Sequence, residues 1–124
     1  MTADFVVTEV FPAELTTPAE ARRFVVGALR AGGVEVDEAV PLVVSELVTN
    51  AVLHAGSSAQ VEVRVANECV RIEVHDSTND LPTVREPGPY TVTGRGLMLV
   101  DALSDRWGAS PTAMGKVVWF EIDR

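Results

Sequence analysis

The sequence predicts an α+β fold: a two-layer α/β sandwich, with helices covering one face of a mixed, mainly antiparallel sheet. Three observations carry this expectation. Gln60 to Ala66 (QVEVRVA) and Cys69 to His75 (CVRIEVH) each alternate polar and apolar residues, the period of half-buried strands. Asn67-Glu68 between them is short enough to make the two an antiparallel hairpin. Upstream lie two longer segments with helical start and stop signals. The resulting order is strand, two helices, two strands, loop, helix, two strands, which suits helices stacked on one side of a sheet.

The elements follow in turn. FVVTEVF (5–11) is a short strand that Pro12 stops. In Thr17-Pro18-Ala19-Glu20, Thr17 can cap a helix, Pro18 fits its first turn and Glu20 stands where a capping box needs an acid. This helix should run to about Ala31 and end at Gly32-Gly33. A second helix starts between Asp37 and Pro41 and runs to Ala55, with Gly56 as its stop. Pro41 blurs the start because it cannot donate an interior helix hydrogen bond. Asp76 to Thr93 holds Pro82, Pro87, Gly88 and Pro89 and reads as a long loop, which in a compact domain is more often functional than idle. After Gly94-Arg95-Gly96 come a short helix, Leu97 to Leu103, and two strands, Asp105 to Ala109 and Lys116 to Ile122.

Composition narrows the function. With 124 residues, 47% of them hydrophobic, the chain is expected to form a single domain (1–124) with a real core. The net charge of −8 disfavours nucleic acid as a partner, which calls for a basic face. No apolar run suits a bilayer, and MTADFVV lacks the pattern of a secretory signal. The lone Cys69 excludes an internal disulfide and fits a cytoplasmic location. An anionic ligand would need backbone N–H groups, a helix N-terminus or a metal ion to overcome the acidic field.

Within SELVTNAVLHA (45–55), Glu46, Asn50 and His54 recur every fourth residue. At about 3.6 residues per turn, Val44, Leu47, Val48, Ala51, Val52 and Ala55 form an apolar stripe, and the polar row steps round the other side. A solvated face is one reading. The other is a site wall, because Leu42, Val43 and Leu53 flank Glu46 and Asn50. Asp76 at a strand end is either a turn former or an acceptor for a ligand donor. Gly94-Arg95-Gly96 is either a plain joint or an anion-binding helix entry; it is neither a P-loop nor a dinucleotide fingerprint. His54, His75 and Cys69 lack zinc spacing, no serine sits in GxSxG, and Trp107 and Trp119 are expected in the core.

In this order, the E-x-x-x-N helix, strand-end Asp, long loop, GRGL and closing glycine-strand resemble the GHKL (Bergerat-fold) ATPases. Among these the chain is most similar to stand-alone serine-protein kinases that act as anti-sigma factors. The resemblance spans about Ala21 to Ile122. It implies ATP and Mg²⁺ as cofactors. Glu46 would be the general base that deprotonates a substrate serine, and Asn50 the Mg²⁺ ligand; magnesium otherwise keeps water and phosphate oxygens. Asp76 would accept from the adenine amine, and the loop would be an ATP lid. Gly94, Arg95, Gly96 and Leu97 would hold phosphates, and Gly115 would match the last glycine box. Lys116 is either a phosphate contact or a solvated strand end. His54 would border the site.

Two positions depart from the family pattern. Thr78 and Asp80 stand where the adenine box has glycines, so side chains and an extra negative charge enter there. Val92 and Thr93 stand where an arginine usually precedes the phosphate glycines. The resemblance further implies an anti-sigma-factor antagonist as substrate, a sigma factor as second partner and a homodimer. A regulatory module of the same fold that sequesters a partner with little catalysis is the alternative. A detached histidine-kinase catalytic domain fits less well.

Overall fold

The computed structural model describes residues 4–77 and 92–124. The strands are β1 (Phe5–Phe11), β2 (Ala59–Val65), β3 (Cys69–Asp76), β4 (Arg106–Thr112) and β5 (Gly115–Asp123). The helices are α1 (Thr17–Ala31), α2 (Ala39–Thr49) and α3 (Val92–Leu103), and a π-helical turn, Asn50–His54, continues α2. The five strands form one sheet in the order β1-β2-β3-β5-β4. All four described pairings are antiparallel. The expected α+β sandwich is therefore what forms, with a purely antiparallel sheet among the described residues.

Alternation along the strands decides which face the helices cover. Val61, Val63 and Val65 of β2 stand opposite Val74, Ile72 and Val70 of β3, and these in turn face Val118, Phe120 and Ile122 of β5. Most of these are buried in one cluster with Val25 and Leu29 of α1, Val44 and Val48 of α2, and Leu97 and Val100 of α3. β-Branched side chains suit such a pleated, packed surface.

The helix ends differ from expectation in instructive ways. Thr17 is the first residue of α1 rather than its cap; its buried hydroxyl donates to Pro12 O at 2.6 Å and ties the helix to the exit of β1. Gly32-Gly33 ends α1 as expected, with Gly33 at φ +78°, a conformation that glycine adopts without strain. α2 begins at Ala39, whose N–H donates to Asp37 Oδ1 at 2.9 Å. Pro41 then falls in the first turn, where its missing N–H costs no helical bond. α3 starts at Val92, five residues before the predicted start at Leu97, so GRG lies inside the helix. β4 reaches Thr112 and takes in Pro111, which a sheet edge tolerates. Residues 78–91 of the predicted loop lie outside the described residues.

The other sheet face carries an ionic ladder. Arg71 Nε meets Glu73 at 2.7 Å and its Nη1 meets Glu121 at 3.0 Å, while Arg106 Nε meets Glu121 at 2.9 Å. Trp119 belongs to this face rather than to the core: the Arg71 guanidinium lies 4.1 Å from its ring centre, and Gly108 leaves room for the ring. Trp107 does pack against the core, with its indole N–H donating to Asp101 at 2.8 Å. Burial opposes ionisation of Glu73, yet hydrogen bonds to Arg71 and His75 outweigh it and hold its carboxyl below the usual range. The Arg106 hydrogen bond, against some burial and aided by Arg71, does the same for Glu121.

A carboxyl depressed in the folded state adds stability that is complete above its unfolded pKa and is lost as pH falls through the folded value. The melting temperature should therefore fall as pH drops below about 4.5, near the ordinary glutamate value. Glu121→Gln should melt lower than the wild type at pH 7, and the gap should close towards pH 3. A gap independent of pH would mean that the ladder contributes through packing alone.

Candidate functional site

Helix α2 sets Glu46 and Asn50 one turn apart and half-buried, beside a core-facing stripe of Val44, Leu47, Val48, Ala51 and Val52. The predicted stripe also included Ala55, which is exposed. The reason is local. Asn50 N–H still makes helical bonds to Glu46 and Leu47 carbonyls, but Asn50 O accepts from Ala55 N at 3.1 Å, a five-residue step. The helix widens into a π turn at Asn50, a distortion frequent at functional sites. Of the predicted apolar flank, Val43 belongs to the core, while Leu42 and Leu53 remain 49% and 41% exposed. The side chain of His54 lies outside the described residues.

The glycine segment comes up against this turn. A Cβ on Gly96 would lie 3.3 Å from Leu47 Cδ2 and 4.0 Å from Glu46 Cβ, so the start of α3 rests on α2 beside Glu46. Gly94 and Arg95 lie in the opening turns of that helix. The first N–H groups of a helix have no intrahelical acceptor and favour anions. Gly96 and Leu97 are the fifth and sixth residues of α3, so their N–H groups bond back to Val92 and Thr93 carbonyls instead of holding phosphates as expected, and Leu97, fully buried in the core, anchors the helix. The predicted catalytic acid thus stands beside Gly96, with the predicted amide one turn further along α2.

Asp76 lies at the other end of the arrangement, as the last residue of β3. It stands opposite Ala59 of β2 and Lys116 of β5, on the helix-covered face. Lys116 Nζ is 3.0 Å from Asp76 Oδ2, and both side chains are 6% exposed. Lys116 is therefore neither a solvated strand end nor a phosphate contact in this arrangement; its partner is the residue expected to read the base. Gly115 is required beside them. A Cβ there would sit 2.1 Å from Asp76 O and 2.6 Å from Ser77 Cα.

Sequence reasoning missed Ser57, which joins the two halves. Its N–H donates to Ala51 O at 2.9 Å, within the π turn. Its hydroxyl donates to Ser58 O at 2.6 Å and accepts from Ser77 N at 2.8 Å, and it also meets Ser77 Oγ at 2.8 Å. Ser57 is 4% exposed. It pins the point where the chain leaves Asp76 to the helix that carries Asn50. The only signal in the sequence was a Gly56-Ser57-Ser58 turn, which looks like any loop. Ser57→Ala should cost about 1–2 kcal/mol in urea unfolding, since it removes these bonds and leaves the Ser77 amide to water. A loss below a few tenths would show that the clamp is idle.

A family model for the histidine kinase-like ATPase domain matches residues 11–122, nearly all of the chain and every site residue above. The chain belongs to this family. A comparison with curated proteins found no match. Membership in an ATPase family implies ATP binding, ordinarily with Mg²⁺, and the site of this ATPase domain is chemically suited to both. Half-buried Glu46 and Asn50, near the glycine segment of α3, are the residues that would hold a metal ion and phosphates, and the carboxylate of Asp76 at the sheet end would suit a base. A separate cavity of about 380 Å³ lies at the opposite end of the sheet, near Val70 and Ile122, and shares no residue with this site. No helix among the described residues is long and apolar enough to cross a membrane.

Proposed function

We propose that this ATPase domain is an Mg-ATP-dependent serine/threonine protein kinase that acts as an anti-sigma factor. It phosphorylates an anti-sigma-factor antagonist and holds a sigma factor in the alternative partner state, as a homodimer. The observation that supports the reading is the contact of Gly96 with Glu46, which brings the glycine segment of α3 against the acid.

In this reading Glu46 orients the substrate serine and takes its hydroxyl proton as the oxygen attacks the terminal phosphate. Asn50, one turn on, offers its amide oxygen to the metal. Bound Mg²⁺ supplies charge neutralisation on the phosphates. The free N–H groups of the first turn of α3, Gly94 among them, hold phosphate oxygens, and Asp76 holds the base.

The test is transfer of label from γ-labelled ATP, with Mg²⁺, to serine in candidate antagonist proteins. Phosphoserine on one of them, and capture of a sigma factor by the same chain, is the expected result. Nucleotide binding with no transfer to any protein would favour the alternative, a partner-sequestering module. Thr78 and Asp80, in place of the glycines of the adenine box, give that alternative its support.

A further inference from the structure

We propose that the outer face of α1 is a docking groove for an acidic segment of a partner protein, held by Arg22, Arg23 and Arg30. This goes beyond the nucleotide reading above, and no residue assigned to that site lines the groove.

Charge is the first observation. The chain carries a net charge of −8. Arg64, Arg71, Arg106 and Lys116 each meet a carboxylate at 3.0 Å or less. Arg22, Arg23 and Arg30 meet none among the described residues. All three are exposed, and with Val26, Gly27 and Pro41 they line a cleft of about 440 Å³ between α1 and the first turn of α2. Arg23, Val26, Gly27 and Arg30 recur at the spacing of one helix face. Arg22 leans across to α2, where its Nη1 donates to Ser45 Oγ at 3.4 Å. An acidic protein thus keeps a local positive stripe that its own carboxylates do not neutralise.

Gly27 is an independent observation. A glycine inside a helix costs stability relative to alanine. Packing does not require this one: a Cβ there would meet no atom within 4 Å, and its φ is not positive. The missing side chain leaves the floor bare between Arg23 and Arg30, where another backbone can approach closely.

The groove's chemistry chooses the occupant. The helical rise puts Arg22 and Arg30 about 12 Å apart along the axis, within reach of carboxylates on one short segment. The guanidinium fork binds a carboxylate through two parallel hydrogen bonds. Half-buried Val26 and Pro41 suit an apolar side chain set between the acids. A nucleic acid or an anionic bilayer would bring an extended negative surface against the whole acidic chain. A short segment meets the stripe alone, because salt screens remote carboxylates beyond about 10 Å.

The probe is a fluorescein-labelled peptide of glutamate and leucine, with glutamate at every third or fourth position, followed by fluorescence anisotropy with the full chain. The wild type should bind it saturably below millimolar concentration and lose affinity as salt rises. Joint replacement, Arg22→Glu with Arg23→Glu and Arg30→Glu, should weaken it at least about tenfold. Gly27→Leu keeps every charge but fills the floor. It should melt no lower than the wild type, since leucine suits a helix, yet bind the peptide about tenfold more weakly. ATP titrations of both variants should match the wild type, which keeps this test apart from the nucleotide reading.

Peptide binding that survives charge reversal, or that Gly27→Leu leaves unchanged, overturns the inference. So does the lack of saturable binding at millimolar peptide. Tighter binding of single-stranded DNA or phosphatidylserine vesicles through the same arginines would assign the face to a nucleic acid or a membrane and overturn it too. A wild-type dimer that charge reversal dissociates would assign it to a second copy of the chain, with the same consequence.

Discussion

Glu46→Ala is expected to lower phosphoryl transfer by about 10²–10⁴-fold, the usual contribution of a general base, while ATP affinity changes little. The structure separates these two effects. Glu46 lies beside Gly96, while Asp76, the proposed base contact, lies at the end of β3 in its ion pair with Lys116. Glu46 is half-buried and the core stripe of α2 does not include it, so alanine leaves the packing in place and suits the helix. Single-turnover transfer and ATP calorimetry on the same preparation separate chemistry from binding. Transfer that survives within about threefold would remove Glu46 from the base role. A parallel loss of binding and transfer would make it a structural residue.

Gly115→Ala is expected to destabilise the fold by about 3 kcal/mol, the upper part of the usual overpacking range. The new Cβ would meet Asp76 O at 2.1 Å, Ser77 Cα at 2.6 Å and Ser77 C at 2.8 Å. All three are backbone atoms, so no side chain can swing aside. Relief requires that β5 move from β3 where Asp76 faces Lys116. The melting temperature should fall by roughly 10 °C. Nucleotide binding should weaken even at temperatures where the variant is folded, because the same displacement moves Asp76, the proposed base contact. A variant that melts within about 2 °C of the wild type would show that the turn between β4 and β5 is more compliant than this geometry allows.

Much of the fold was legible because its signals are local. Alternation in QVEVRVA and CVRIEVH marks the central hairpin, and the Gly32-Gly33 stop marks the end of α1. The spacing of Glu46 and Asn50 was readable for the same reason, since one helix holds both. What stayed hidden depends on partners distant in sequence. Lys116 looks like a strand end until the register of β3 and β5 sets it opposite Asp76. Trp119 reads as core until its strand phase turns it to the charged face beside Arg71. The early start of α3 was masked by two glycines that weaken any local helix signal, whereas packing of Leu97 and Val100 secures the helix. The π turn at Asn50 has no residue signature at all; its wide bonds show only in the carbonyl acceptors of Ala55 and Ser57.

The central claim is that Glu46, Asn50, Asp76 and the opening of α3 form a working nucleotide site. Calorimetric titration of the purified chain with ATP, with and without Mg²⁺, tests it most directly. The account predicts saturable binding that tightens when Mg²⁺ is present, since Asn50 and the phosphates would share the ion. A folded chain that takes up no ATP at millimolar concentration, with or without the metal, would contradict it.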